Sequence, residues 1–263
     1  MKYAFLLLLF FSVLLRGETL KVGYEPSISS EVLNKELAPI TLYLKQYYGD
    51  VFDVTSKSAN EFLKLSQKRK INFTYVGSAY ASLLTKRYGF IPLLSSKGEV
   101  EVGVVANVNE DYNKLKNNAD TGIYYVAHDL YGQYMAGVLK PKARLESRMS
   151  SERVIFSVLK KDSNLGIIFK DDLGLIPTYL SQKLVVHERL NVGRIYLLVG
   201  PSLVHLASEL QQRMLEFHEN WKDQDQQYFY LNFYKFDKWK EVHKSRMHVS
   251  DDFQKFLETV VVK

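Results

Sequence analysis

The sequence predicts an α/β fold of two doubly wound lobes joined by a two-segment hinge. Apolar periodicity gives the order strand–helix–strand–helix–strand twice, which is typical of doubly wound sheets. Two extended segments flank the second unit, as expected where a chain crosses between lobes. The 263 residues are 46% hydrophobic with only 14 Gly and 6 Pro, a composition that excludes a disordered or linker-rich chain.

The first unit begins after a short polar stretch. In order, we predict the strand Leu20–Tyr24, a helix whose apolar positions Leu33, Leu37, Ile40, Leu44 and Tyr47 stop at Gly49, the strand Phe52–Thr55, a helix from Ser58 to about Arg69, the strand Ile71–Val76 and a helix from Ser78 to about Arg87. Pro39 is expected either to kink the first helix or to mark its first turn. Ser58 and Glu61 have the spacing of a capping box.

The second unit repeats the order of elements without a residue-level repeat. We predict the strand Ile123–Ala127, the helix Tyr131–Leu139, the extended segment Ala143–Arg148, the helix Ser151–Lys161 and the strand Leu165–Phe169. The crossing segments are Val100–Val108 and Arg194–Val199. We therefore expect residues 18–102 in lobe one, 103–196 in lobe two, and 197–263 returning to lobe one with C-terminal helices. A ligand site would then lie between the lobes, at the carboxyl ends of the strands.

The first 17 residues predict a signal peptide and hence a periplasmic location. Lys2 precedes an apolar run from Ala4 to Leu15, the layout of a secretory signal and shorter than the roughly 20 residues of a membrane span. Arg16-Gly17 is a poor cleavage site, so an uncleaved anchor is the alternative interpretation.

Other function classes find little support in the sequence. There is no Cys, which excludes disulfides and thiolate chemistry, and nucleotide, nucleophile and metal-binding signatures are missing. We therefore expect no catalysis, no metal and no cofactor. A basic cluster is interpreted as a solvated face, with a docking surface as the alternative; it consists of Lys140, Lys142, Arg144, Arg148 and Arg153. The aromatic run from Trp221 to Trp239 is expected to pack on lobe one, and no nucleic-acid partner is predicted.

The junction after the third strand is the best candidate for a ligand site. Tyr75-Val76-Gly77-Ser78-Ala79-Tyr80 joins a strand to a helix N-terminus, where free backbone N–H groups favour an anion. Gly77 allows close approach of a ligand, and whether Ser78 only caps the helix or also binds a ligand is left open. Tyr24 and Glu25 end the first strand on the same side of the sheet and join the candidate set.

Four segments in this order carry a resemblance to a known family: LKVGYEPS (Leu20–Ser27), INFTYVGSAYASLLTKRYGFIPLL (Ile71–Leu94), EVEVGVVANVN (Glu99–Asn109) and YLNFYKFDKWKEV (Tyr230–Val242). Together they resemble the type II periplasmic substrate-binding proteins, in particular the phosphate/phosphite/phosphonate-binding branch of ABC transporters. The resemblance implies a bilobal type II fold. It also implies a monomer that captures a small anionic or polar solute and delivers it to an ABC permease. The alternative is a sensory module that signals to a membrane-bound kinase or cyclase.

The second lobe departs from the pattern of that family. Where the family has a Ser/Thr-rich turn, this chain reads Ala127-His128-Asp129-Leu130-Tyr131-Gly132-Gln133. His128 can donate a hydrogen bond and Tyr131 can line the cleft, whereas Asp129 would repel a dianion. A solute other than a phosphonate is therefore an open alternative. The full set of expected ligand-binding residues is Tyr24, Glu25, Tyr75, Gly77, Ser78, Ala79, Tyr80, His128 and Tyr131.

Overall fold

A computed structural model describes residues 19–26, 38–139, 144–160, 164–220, 236–239 and 250–261. Several predicted features lie outside these ranges: the signal peptide (1–17), the helix positions Leu33 and Leu37, the basic residues Lys140 and Lys142, and residues 221–235 of the aromatic run. Within these ranges, no helix is both long enough and apolar enough to cross a bilayer.

The helices and strands alternate along the chain. The first part contains β1 (Leu20–Tyr24), α1 (Ala38–Tyr48), β2 (Val51–Val54), α2 (Ala59–Gln67), β3 (Phe73–Gly77), α3 (Ser78–Tyr88) and β4 (Ile91–Ser96). The second contains β5 (Val100–Asn107), α4 (Tyr112–Asn117), β6 (Gly122–Val126), α5 (Leu130–Leu139), β7 (Arg144–Arg148), α6 (Ser151–Lys160), β8 (Asn164–Phe169), a 3-10 segment (Lys170–Leu175), α7 (Thr178–Ser181) and β9 (Leu184–Gly193). The last contains β10 (Ile195–Val199), a 3-10 segment (Pro201–Leu206), α8 (Ala207–Asn220), β11 (Phe236–Lys238) and α9 (Asp251–Val261).

The strands form two sheets, each the centre of one lobe. The first has the order β11-β4-β10-β3-β1-β2 and the second β7-β6-β8-β5-β9. In each sheet the first strand of the βαβαβ unit pairs in parallel with the next two, β1 with β2 and β3, and β6 with β7 and β8. Antiparallel strands extend both sheets, with β10 between β3 and β4 and β5 between β8 and β9. The predicted doubly wound lobes are thus present, but with mixed rather than wholly parallel sheets.

Local signals explain where several elements begin and end. The predicted capping box exists at α2, where the Glu61 N–H donates to Ser58 Oγ at 3.2 Å. Its carboxylate accepts from Lys57 N at 2.7 Å rather than from Ser58. Pro39 lies in the first turn of α1, where its missing N–H costs nothing, and Gly49 follows the helix with φ of 68°.

Strand β9 is a ten-residue element that apolar periodicity did not predict. Its sequence LVVHERLNVG mixes five apolar residues with four polar or charged ones and a glycine, and along most of its length its side chains alternate between exposed and partly buried positions. It pairs with β5 from Asn107↔Leu184 to Val100↔Gly193, so the strand depends on a partner that lies far away in the sequence. β4 was likewise not predicted; it pairs with β10 and β11.

The hydrophobic core connects the lobes. One cluster contains Ala79, Tyr80 and Leu84 of α3 together with Leu130 and Tyr131 of α5. A second cluster lies within the first lobe and a third within the second lobe. The contact between lobes is therefore centred on the start of α3, the junction that the sequence selected.

Gly23 offers a test of this packing. An added Cβ would lie 2.7 Å from two side-chain carbons of Ile71, which is fully buried. We expect Gly23→Ala to lower the free energy of unfolding by roughly 1–3 kcal/mol because the core has no room for the methyl group. Gly137→Ala, on the exposed face of α5 with nothing within 4 Å, should instead stabilise by about 0.5–1 kcal/mol. Urea unfolding measures both; equal stabilities would contradict the packing.

Candidate functional site

The site is built around the junction of β3 and α3. Gly77 is the N-cap of α3, with φ −69° and ψ 168°, and no side chain caps the helix by hydrogen bonding from that position. Ser78 is the first helical residue, so the prediction that Ser78 caps the helix is wrong. The N-terminal N–H groups of the helix are consequently left for other partners.

The Ser78 hydroxyl is bound to Arg194, the residue directly before strand β10. It accepts from Arg194 N at 2.9 Å and donates to Arg194 O at 3.2 Å. The residue is 1% exposed. Both hydrogen-bonding directions of Ser78 therefore fasten α3 to the crossing segment at Arg194, next to β10.

The Glu25 carboxylate accepts a hydrogen bond from one of the N–H groups at the N-terminus of α3. Gly77 N donates to Glu25 Oε2 at 2.9 Å. Glu25 follows β1, whose parallel pairing with β3 brings the carboxyl ends of the two strands together. A carboxylate of the protein thus stands where the sequence analysis expected an anionic ligand.

Tyr131 reaches the same helix from the second lobe. Ala79 N donates to Tyr131 Oη at 2.6 Å, and the Tyr131 ring stacks on Phe253 of α9 with 5.0 Å between centroids. Burial, and secondly the charge of Glu25, raise the pKa of Tyr131 well above its ordinary value. The phenol is therefore neutral, and its oxygen accepts a hydrogen bond across the interface between lobes.

Asp129 was not among the predicted site residues, yet it lies at the centre of this group. Its Oδ1 accepts from Tyr131 N at 3.0 Å at the start of α5, as an N-cap aspartate does. Burial, followed by the charge of Glu25, raises the pKa of Asp129 to about 7, with a smaller contribution from Asp172. The signal available in the sequence was its position directly before a helix and just after a strand, β6.

The remaining predicted residues divide between two environments. Tyr80 is buried beside Phe62 and belongs to the same cluster as Tyr131. Tyr24 and Tyr75 pack on each other in the core cluster of the first lobe, and Tyr75 Oη lies 3.0 Å from His218 Nε2. The structure thus brings Glu25, Gly77, Ala79, Tyr80 and Tyr131 together and places Tyr24 and Tyr75 elsewhere.

His128 stands apart from this group. Its side chain is exposed and its backbone has φ of 64°. Ala127 N donates to Arg148 O and Asp129 N to Val126 O, so the turn at His128 directs the chain from β6 into α5. His128 therefore lies beside Asp129 in sequence but on the outside of the protein.

Tyr131→Phe tests the hydrogen bond between the lobes. The variant leaves Ala79 N buried without an acceptor, so we expect a loss of roughly 1–3 kcal/mol in the free energy of unfolding. Tyr134→Phe is the control, because Tyr134 lies on the same helix and packs on the same Phe253 ring. Thermal unfolding compares the two; equal losses would show that the Ala79 bond contributes nothing.

Comparisons with known proteins agree with this architecture. PhnD1 from Prochlorococcus marinus, in complex with methylphosphonate, superposes with a TM-score of 0.70 at 14% identity over 93% of this chain and 98% of that chain. A binding-protein component of an ABC phosphonate transporter from Pseudomonas aeruginosa gives 0.68 at 14% over 86% and 83%. A Xanthomonas citri protein bound to ATP gives 0.66 at 13% over 92% and 98%.

These similarities concern the fold. No protein-family model matches the sequence, and no curated protein matches it. The bilobal α/β fold that was expected from the resemblance to type II periplasmic binding proteins is confirmed. Two of the similar structures hold different molecules, methylphosphonate and ATP. The fold alone therefore does not determine the ligand, which depends on the residues of the site.

Proposed function

We propose that the chain is an exported solute-binding protein that captures a small solute between its lobes and delivers it to an ABC permease in the periplasm. The observation that carries the proposal is the contact of Tyr131, from the second lobe, with the N-terminus of α3 in the first. Polar groups of both lobes converge there, at the carboxyl ends of the parallel strands, where doubly wound folds bind ligands.

The connection between the lobes supports a hinge. The chain passes from β4 to β5 and from β9 to β10, and each passage is short. Two short connections between rigid sheets permit closure around a ligand. The names of two similar structures, one holding methylphosphonate and one a component of an ABC phosphonate transporter, favour solute binding over catalysis.

A distance measurement between lobes tests the proposal. Because the chain has no Cys, a dye pair can be attached at Leu42→Cys and Val138→Cys, both on strongly exposed residues of opposite lobes. We expect single-molecule energy transfer to change when a solute from a panel of small anions, cations and neutral compounds binds. A panel in which no compound alters either energy transfer or thermal stability would contradict a solute-binding role.

A further inference from the structure

A second concave site lies on the first lobe, away from the contact between the lobes. Helices α1 and α8 form an open cavity of about 330 Å³ there, lined by Tyr43, Tyr47, Glu216, Phe217 and Asn220. Pockets for small ligands typically measure about 300–1,000 Å³. Tyr47 is 44% exposed and Phe217 is 8% exposed, so the cavity is open to solvent and has a buried floor. Phe217 belongs to the core cluster of the first lobe, not to the one that connects the lobes.

Three aromatic rings form the wall of this pocket. The ring centroids of Tyr43 and Tyr47 are 5.2 Å apart with their planes at 59°, and those of Tyr43 and Phe217 are 5.1 Å apart at 45°. Rings that meet at such angles do not stack face to face, so they do not cover one another. Because Tyr43 and Tyr47 are four residues apart, they lie on the same side of α1. The pocket thus has a concave aromatic wall.

The charged groups at the pocket are paired with each other. Glu216 Oε2 lies 3.6 Å from Arg213 Nη1, and Glu216 Oε1 accepts from Gln212 Nε2 at 3.0 Å. The Arg213 guanidinium also lies over the ring of Tyr47, 4.2 Å from its centroid. Burial, followed by the neighbouring Tyr47 hydroxyl, raises the pKa of Tyr43 to about 12, so this phenol is neutral. Together with Arg213, the lining residues therefore carry no net charge.

The polar groups at the pocket include both hydrogen-bond donors and acceptors. The side chain of Glu216 is 41% exposed, and Asn220, the last residue of α8, is exposed as well. A carboxylate has about four lone-pair sites, so Glu216 can accept further bonds beside the one from Gln212, and the Asn220 amide both donates and accepts. A wholly apolar ligand would take these groups out of water without replacing their hydrogen bonds. The pocket therefore favours a ligand with several hydroxyl groups.

We propose that this pocket binds a neutral sugar ring, with the C–H groups of one ring face on the aromatic wall and the hydroxyl groups on Glu216 and Asn220. The negative face of an aromatic ring attracts the slightly positive C–H groups of a sugar. A free ion would lose hydration here without gaining an unpaired charge of opposite sign. The site is separate from the interface between the lobes, so it does not depend on the proposed solute-binding function.

Saturation-transfer NMR of the full chain tests the ligand class. The probes are glucose, N-acetylglucosamine, cellotriose and chitotriose, against choline chloride, sodium acetate and indole. We expect transfer to at least one sugar, strongest at the C–H protons of one ring face, with a signal that saturates in a titration. Tighter binding of a trisaccharide than of its monosaccharide would identify the ligand as a sugar unit of a glycan, and equal binding would identify it as a free sugar.

Three variants assign the binding to this pocket. Tyr47→Ala removes an exposed ring of the wall and should weaken sugar binding by roughly 10-fold or more, as truncation of a central aromatic contact does. Tyr179→Ala is the matched control, because Tyr179 is an exposed tyrosine of α7 in the second lobe; it should leave the affinity unchanged. Glu216→Gln should keep the affinity within roughly threefold, because a neutral ligand needs an oxygen acceptor rather than a charge. Thermal unfolding checks that each variant is folded.

The outcomes that would overturn the assignment are distinct. No sugar binding, or sugar binding that Tyr47→Ala leaves unchanged, would exclude a sugar site at this pocket. Binding of choline, acetate or indole that depends on Tyr47, without binding of any sugar, would contradict the ligand class, as would a loss of sugar binding in Glu216→Gln as large as that in Tyr47→Ala. None of these results bears on the proposed function, which the distance measurement between the lobes tests separately.

Discussion

Asp129→Asn should make the protein more stable at pH 8 than the unmodified chain. Burial and the neighbouring charge of Glu25 raise the pKa of Asp129 from 3.8 to about 7. The folded state therefore binds the proton more tightly than the unfolded state, and stability falls as the pH rises from about 4 to about 7. One pKa unit corresponds to about 1.4 kcal/mol, so the whole interval is worth on the order of 4 kcal/mol.

Asparagine carries no charge at either pH and remains a good N-cap. We expect Asp129→Asn to gain roughly 1–4 kcal/mol at pH 8 and to match the unmodified chain within about 1 kcal/mol at pH 4. Urea unfolding at the two pH values measures the difference, with Asp111→Asn, at the exposed N-cap of α4, as the control. The same offset at both pH values would mean that Asp129 does not carry a buried charge.

Ser78→Ala should destabilise the first lobe. The variant leaves Arg194 N and Arg194 O without the hydroxyl that now serves both. Two lost hydrogen bonds and a partly buried, unpaired N–H of Arg194 make the expected loss roughly 1–3 kcal/mol in the free energy of unfolding. Thermal unfolding of the variant measures the loss directly.

Ser82→Ala is the matched control, since Ser82 lies one turn further along α3 and is also buried. We expect it to cost less than about 1 kcal/mol, in line with other small polar changes. If the two serine variants are equally stable, the hydroxyl does not fasten the helix to the crossing segment. Amide hydrogen exchange at Ile195 and Tyr196 should increase only in the Ser78 variant, because β10 begins directly after Arg194.

Elements with local signals could be predicted from the sequence. β1 was placed at its observed bounds, and α2 was recognised by Ser58 and Glu61 three residues apart. β9 and β4 had no such signal. The mixed apolar and polar residues of β9 form a strand because β5 pairs with them, and this partner is set by the tertiary fold.

The junction of β3 and α3 could be predicted from the sequence, whereas the groups that accept from its N–H donors could not. Strand β3 followed by a helix indicated the junction at Gly77 and Ser78. The oxygens that accept from Gly77 N and Ala79 N belong to residues 52 positions away in each direction. Sequence spacing along one chain carries no information about such pairs, so a site expected to await an anion is filled by the protein itself.

The position of β10 also sets the order in which the lobes can be completed during synthesis. All strands of the second sheet lie between Val100 and Gly193, whereas the first sheet needs Ile195–Val199 between β3 and β4. A chain that emerges with its N-terminus first can therefore finish the second sheet while β3 and β4 still present open edges. Open edges pair readily with other chains. The emerging chain is thus most in need of chaperone protection after its second lobe has appeared and before β10 has followed.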